Sequence, residues 1–410
     1  MNKDISENEV IIDDVVYDLQ KFSKVHPGGS NSLNIFGGSD ATIHYYMLHP
    51  HLNLRKYILE PYKLREVTIN DDKKYILNSN IFQELKKKIN EVVRYPYATL
   101  EWYLKALFIM SIEILLECHN ILYGFTYFKS ICLGFFMALI GLCIQHDANH
   151  GAISKNGYIN WIWGLAQDWI GGSSLLWKHH HVLMHHAYTN VEKEDPDITT
   201  NIVRLHTDIK KRYFHRWQGF YTWFLIVLLP INWHFKELLD LYNMHHMGRK
   251  ICSIAQSEAY LDIILRIMFI LRFYIVPLYI HYSFHTFICI CISLAVGGGY
   301  LGINFIISHN FEGVKHVKHV TDDYKEEDWS IIQVETSSTV GGRLLGFFHG
   351  GLNYQIEHHL FPRICHVHYY KIKPIIQLWC LEHNIKYTYF NTIADNIKSC
   401  YNHLIYMGNE

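Results

Sequence analysis

Residues 126–150 read TYFKSICLGFFMALIGLCIQHDANH. Up to residue 145 the stretch carries a single charge, Lys129, and as a helix of about 20 residues it can cross a hydrocarbon core of ~30 Å. It then runs straight into His146 and His150, which at i and i+4 lie one above the other on a single helical face. A span that delivers two imidazoles at its end asks for more spans and more histidines elsewhere in the chain.

Both are present. A second apolar stretch at about 103–124 precedes the first, separated from it by a weak break at YGFTYFKS, and another pair covers about 260–281 and 284–307, broken at HYSFHT. A further run, FYTWFLIVLLPINW, has only about 14 residues, too few for a span, and reads as interfacial or buried. Lysine and arginine lie before the first pair, between the pairs and after the second, while the hairpin breaks hold only Lys129. The positive-inside rule therefore puts the bulk of the chain on the cytosolic face, with four spans keeping both ends there. Arg272 falls inside the third span and must either reach the interface or find a partner in the bundle.

The remaining histidines gather beside these spans. KHHHVLMHHAYTN brings His181, His185 and His186; SHNFEG puts His309 just beyond the fourth span; QIEHHLFP adds His358 and His359, with Gln355 four residues before His359. His181 and His185 are i and i+4, so they too are expected on one face. A lone histidine cluster is most often a solvated helix surface. Three at helical spacing, each next to a membrane boundary, supply together with His309 eight neutral imidazoles, too many for one metal but enough for two, and imidazole suits iron, zinc or copper.

Composition agrees. The 410 residues are 50% hydrophobic and 15% aromatic with a net charge of −1, which gives nucleic acid no purchase, and 29 histidines stand against 37 lysines and arginines. Nine cysteines form no paired framework, which suits a reducing compartment. The polar start MNKDISENEVIIDD is no secretory signal.

Residues 1–75 have a different texture, with short apolar runs such as VIIDDVVYDL and glycine turns at Gly28, Gly29, Gly37 and Gly38; a polar helical linker at 76–100 includes IFQELKKKINEVVR. The fold expected is a small α+β domain fused to an all-α membrane domain, 101–410, with four transmembrane helices and a cytosolic histidine-rich helical cap.

These motifs resemble those of the membrane fatty-acyl desaturases, specifically the front-end desaturases fused to cytochrome b5. HDANH is similar to their first histidine box, HVLMHH to the second, and QIEHH to the third, where glutamine stands for the first histidine of other desaturases. YTN with DPDI, QVETSS and GGLNYQIEHHLFP match as well. The resemblance implies a diiron centre on His146, His150, His181, His185, His186, His309, His358 and His359, with Gln355 as a catalytic residue. HPGG at 26–29, after VVYDLQKF and before GGSDATIHYYMLHP, looks like the cytochrome b5 signature without its early tryptophan. That signature implies haem b held axially by His26 and His49; His44 and His51 stand close by as alternatives.

The activity implied by the resemblance is O2-dependent insertion of a cis double bond into a long acyl chain, delivered as acyl-CoA or acyl-phospholipid and reached from the bilayer. An unactivated C–H bond offers no acidic proton, so a cofactor must carry the chemistry. Electrons would come from NADH-cytochrome b5 reductase through the fused haem domain, since no GxGxxG motif opens a strand–helix unit in this chain. The setting implied is the endoplasmic reticulum membrane. QVETSS and SHNFEG tilt the position toward carbon 5 or 4, with carbon 6 close behind. Rival readings are a sphingolipid long-chain-base delta-8 desaturase and, from another class, a non-catalytic haem-binding metal transporter. Transporters place their ligands near the midplane of the spans, whereas these histidines lie outside it.

Overall fold

The computed structural model describes residues 5–49, 58–67, 75–318 and 327–410. His51 lies outside the described residues.

The N-terminal part is built on a hairpin. Glu9–Ile12 pairs antiparallel with Val15–Asp18, Val10 opposite Tyr17, and the two-residue turn puts Asp13 and Asp14 at φ 48° and 60°. Short polar side chains tolerate that left-handed conformation, and two such residues match the twist of the strands they join. Lys63–Glu66 adds a third strand on Val15–Asp18. Asp18 then caps the helix Leu19–Ser23, accepting from the backbone N–H of Lys21, and a second helix, Thr42–Leu48, lies beyond the HPGG loop. A unit this small buries little apolar surface alone. Its core of Val10, Tyr17, Phe22 and Phe36 runs on without a break into Leu175, Leu183, Leu241 and Ala259 of the larger part.

Among the described residues, four helices are long and apolar enough to cross a membrane: Leu100–Tyr123, Tyr127–Asn149, Ser253–Ile280 and Phe284–His309. The second and fourth pack backbone to backbone. A Cβ on Gly134 would lie 2.1 Å from the carbonyl oxygen of Ser293, and the Ser293 hydroxyl donates to the Ser130 carbonyl at 3.0 Å. Small residues let helices approach so closely where burial of apolar surface offers no drive.

The second and fourth helices run on through His146 and His309, because a helix needs only backbone hydrogen bonds, not apolar side chains, to go on. Two features differ from the sequence expectation. Short strand pairs, such as Ser338–Val340 with Thr388–Phe390, interrupt the otherwise helical larger part. And the second histidine box is not an α-helix. Lys178–His185 is a π-helix, in which the His186 N–H reaches the His181 carbonyl five residues back. Such wide turns concentrate at functional sites.

The 14-residue apolar run becomes part of a kinked helical segment that packs one face on the fourth span, where Pro230 meets Gly298 and Ile226 meets Gly302. Its other face exposes Phe220, Phe224, Leu228 and Ile231. Arg272 finds its partner inside the bundle: Nη1 lies 3.0 Å from Glu117 Oε2, and the guanidinium sits 3.5 Å over the Trp169 ring.

Candidate metal centre and haem pocket

All eight histidines of the three boxes and the fourth span meet in one cluster at the histidine-bearing ends of the second and fourth helices. Their ligand atoms sort into two groups, His146, His150, His181 and His358 in one, His185, His309 and His359 in the other. His186 stands between: its Nε2 is 3.1 Å from that of His181, and its ring stacks on His359 at 4.3 Å. The i and i+4 pairs lie side by side as expected, His146 with His150 at 4.8 Å and His181 stacked on His185 at 5.3 Å, but the second pair is shared between the two groups.

The cluster is largely buried, His358 and His359 wholly so and His181 in part. Burial, and then the neighbouring imidazoles, hold His150, His181, His186, His358 and His359 well below the usual histidine range, so these rings are neutral. Burial also pulls His185 down, but Asp195 and Asp197 outweigh it and push the ring up to about 9.

Outer residues orient these rings. His185 Nδ1 donates to Asp195 at 3.1 Å, His309 Nδ1 to the Thr336 carbonyl at 3.0 Å, and His359 Nδ1 to Gln333 Oε1 at 2.8 Å. His358 Nδ1 meets the Tyr369 hydroxyl at 3.0 Å. A proton on Nδ1 leaves the Nε2 lone pair for a metal, the arrangement typical of imidazole ligands. His146 Nε2, His150 Nδ1 and Nε2, and His358 Nε2 are buried with no hydrogen-bond partner. A stranded buried polar atom costs about 1–3 kcal/mol; several converging on one point, all neutral nitrogen donors, fit metal ions. Iron is among those that such a donor set suits.

The roles of these outer residues are not legible in the sequence. Asp195, Gln333 and Thr336 lie in DPDI and QVETSS, which match the family's motifs without revealing a role, and a carboxylate soon after a histidine box is the available signal for Asp195. Nothing in the sequence points to Tyr369.

In the N-terminal part the rings of His26 and His49 are 6.1 Å apart, centroid to centroid. His26 Nδ1 donates to the Gly29 carbonyl at 3.2 Å and His49 Nδ1 to that of Tyr45 at 3.0 Å. With metal–nitrogen bonds near 2 Å, two imidazoles on opposite sides of one ion have centroids about 6 Å apart, so the pair fits a haem iron. Gly28 is required here, because a Cβ would meet His26 Cε1 at 2.7 Å. His44 is not placed for this role. It is buried, with Nε2 donating to the Leu183 carbonyl at 2.8 Å.

That last bond is one of several that seat the N-terminal part on the second histidine box. Asn34 Nδ2 donates to Glu258 Oε1 at 2.8 Å, and Lys178 holds the other oxygen of Glu258 at 3.0 Å. A Cβ on Gly157 would lie 1.9 Å from the Gly28 carbonyl oxygen.

Comparison with known proteins finds two families along the chain. A family profile described as "Fatty acid desaturase" matches residues 124–391, and one described as "Cytochrome b5-like Heme/Steroid binding domain" matches residues 5–68. The chain is 35% identical to an "Acyl-lipid (7-3)-desaturase" of Diacronema lutheri over 97% of its own length and 90% of the relative's. It is 35% identical to a protein of the same description from Rebecca salina, over 99% and 92%. A "Delta(5) fatty acid desaturase A" of Dictyostelium discoideum is 31% identical, over 99% and 92%.

Proposed function

The chain belongs to the fatty acid desaturase family and carries a cytochrome b5-like domain at its N-terminal end, and from that premise we propose that it is a front-end enzyme acting on long polyunsaturated acyl chains. It inserts a cis double bond between an existing one and the carboxyl end, at carbon 5 or 4 in preference to carbon 6. The observation that carries this reading is the convergence of eight imidazoles in two groups beside the ends of two membrane helices.

Bound iron supplies the oxidising chemistry, in which dioxygen, two electrons, two protons and two hydrogens from adjacent methylenes become two waters. The chain's own residues do the rest. His146, His150, His181 and His358 hold one ion, His185, His309 and His359 the other, with His186 between them and Gln355 as a catalytic residue at the second. Asp195, Gln333, Thr336 and Tyr369 keep the ring protons on Nδ1. The close packing around His358 and His359 excludes water from the reacting carbons.

Haem b would be held by His26 and His49 and would supply single-electron transfer. The electrons come from NADH-cytochrome b5 reductase. Residues 1–75 form the haem domain, 76–100 the linker and 101–410 the desaturase domain, in the endoplasmic reticulum membrane with haem and histidines toward the cytosol. The relatives' names, acyl-lipid and Delta(5), favour a lipid-borne acyl group and these positions.

Expression in yeast fed several polyunsaturated acids, with chromatography locating new double bonds, tests the proposal. A new cis bond on the carboxyl side of an existing one is expected. A new bond in sphingoid bases instead, or none in any acyl chain, overturns it.

A further inference from the structure

Arg363 is a cation without a counter-ion. It sits on the turn that follows the third histidine box, where burial holds its guanidinium below the usual arginine range. Among the described residues no carboxylate pairs with it, and the one acidic group that acts on it is the Tyr97 phenol. Its hydrogen bond there is a long one, Nη2 donating to the Gly151 carbonyl at 3.5 Å. A guanidinium carries its N–H donors in a planar fork that fits a carboxylate, and here most of that fork is unspent.

The position of the side chain says which anion suits it. The guanidinium lies along Gly151, where a Cβ would stand 3.6 Å from both Nε and Nη2, and Gly151 directly follows His150 of the first histidine group. A little further along the chain, Gly157 meets the backbone of Gly28, in the loop that carries His26. The Arg363 charge reaches His26 and disfavours a proton on its ring. One cation thus touches the first histidine box and acts on the haem pocket across the seam between the two parts.

Haem b brings two propionates, each a carboxylate at neutral pH. Resting on the haem reading above, we propose that Arg363 binds a haem propionate and so fixes the haem edge against the turn after the first histidine box. Two axial imidazoles hold the iron but do not by themselves stop the porphyrin turning about their common axis. A propionate anchored in the fork of an arginine stops that turn. Arg363 is then a positioning residue for electron transfer, one guanidinium joining the haem edge to the backbone beside His150.

The test compares the purified full chain with Arg363→Gln and Arg363→Lys, each loaded with haem b or with its dimethyl ester, in which both carboxylates are neutral. The reading is the rate at which haem passes to excess apomyoglobin, with gel filtration as the check on folding. With haem b, Arg363→Gln is expected to lose haem about tenfold faster than the wild type. Arg363→Lys keeps the charge but not the fork and should fall between them. With the ester, all three should lose haem at one rate. Equal rates for Arg363→Gln and the wild type with haem b overturn the proposal, as does an equal acceleration with both haems, which would mark a packing role. The wild type alone should lose the ester about tenfold faster than haem b; no difference overturns the proposal even where the variants do not fold. Unchanged haem loss with a raised KM for acyl lipid would assign the guanidinium to a lipid phosphate and overturns it too. A wild type that binds no haem overturns the haem reading itself, and this proposal with it.

Discussion

Lowering the pH should loosen the haem domain from the second histidine box through a single side chain. His44 is buried, its ring 4.9 Å from that of Phe36 and its Nε2 on the Leu183 carbonyl. Burial, only partly offset by that bond, drops it from 6.5 to about 4, with the Arg249 cation a smaller contribution in the same direction. A ring whose folded value is depressed stabilises the docked state above its ordinary value. That contribution is lost as pH falls from 6.5 toward 4, because the undocked state binds the proton more readily.

The whole span of about 2.5 units corresponds to about 3.4 kcal/mol. At about pH 5.5 the loss is about 1.4 kcal/mol, a tenfold shift in the docking equilibrium. Glu7, held down to about 2 by Lys250 and Ser253 at the same interface, acts in another window. As a depressed carboxylate its contribution is lost only below 4.5. Hydrogen exchange at residues 42–48 and 178–185, corrected for the intrinsic effect of pH, should show protection falling by about tenfold between about pH 7.5 and 5.5. His44→Phe should show no such change. Equal protection at both pH values, or the same fall in His44→Phe, refutes the reasoning.

Alanine at His146, His185 or His359 should abolish new double bonds in fed yeast while haem absorbance stays intact. Alanine at His26 should remove the haem spectrum and stop turnover, yet leave the non-haem iron in place. Asp195→Asn keeps the size but loses the charge beside His185 Nδ1, and should weaken iron retention about 10–100-fold in a chelator competition. Gly157→Ala should cost about 1–3 kcal/mol of docking, since the added carbon meets backbone rather than a movable side chain; exchange at residues 26–36 would report it.

The spans and histidine boxes are legible in the sequence because each is a local pattern. An apolar run of sufficient length, or imidazoles four apart, needs no knowledge of the rest of the chain. Arg272 shows the limit. Its position in the third span is plain, but its partner, Glu117, comes from a different helix, and sequence distance says nothing about that. The sharing of the stacked pair His181 and His185 between two groups is hidden because it depends on His150, His309 and His359 arriving from other parts of the chain. Tyr369 and Gln333 are out of reach because they act on imidazoles through hydrogen bonds that exist only after the chain has folded.

The seat formed by Asn34, Glu258, Lys178 and Gly157 bears on any attempt to build chimaeras from this chain. A haem domain transplanted from a relative would need to bring an amide at the position of Asn34 and a glycine turn shaped like Gly28. A graft lacking them would still bind its pigment and still be tethered, but it would sit askew. Under the proposed function, each electron would then wait for the tethered domain to find its seat again.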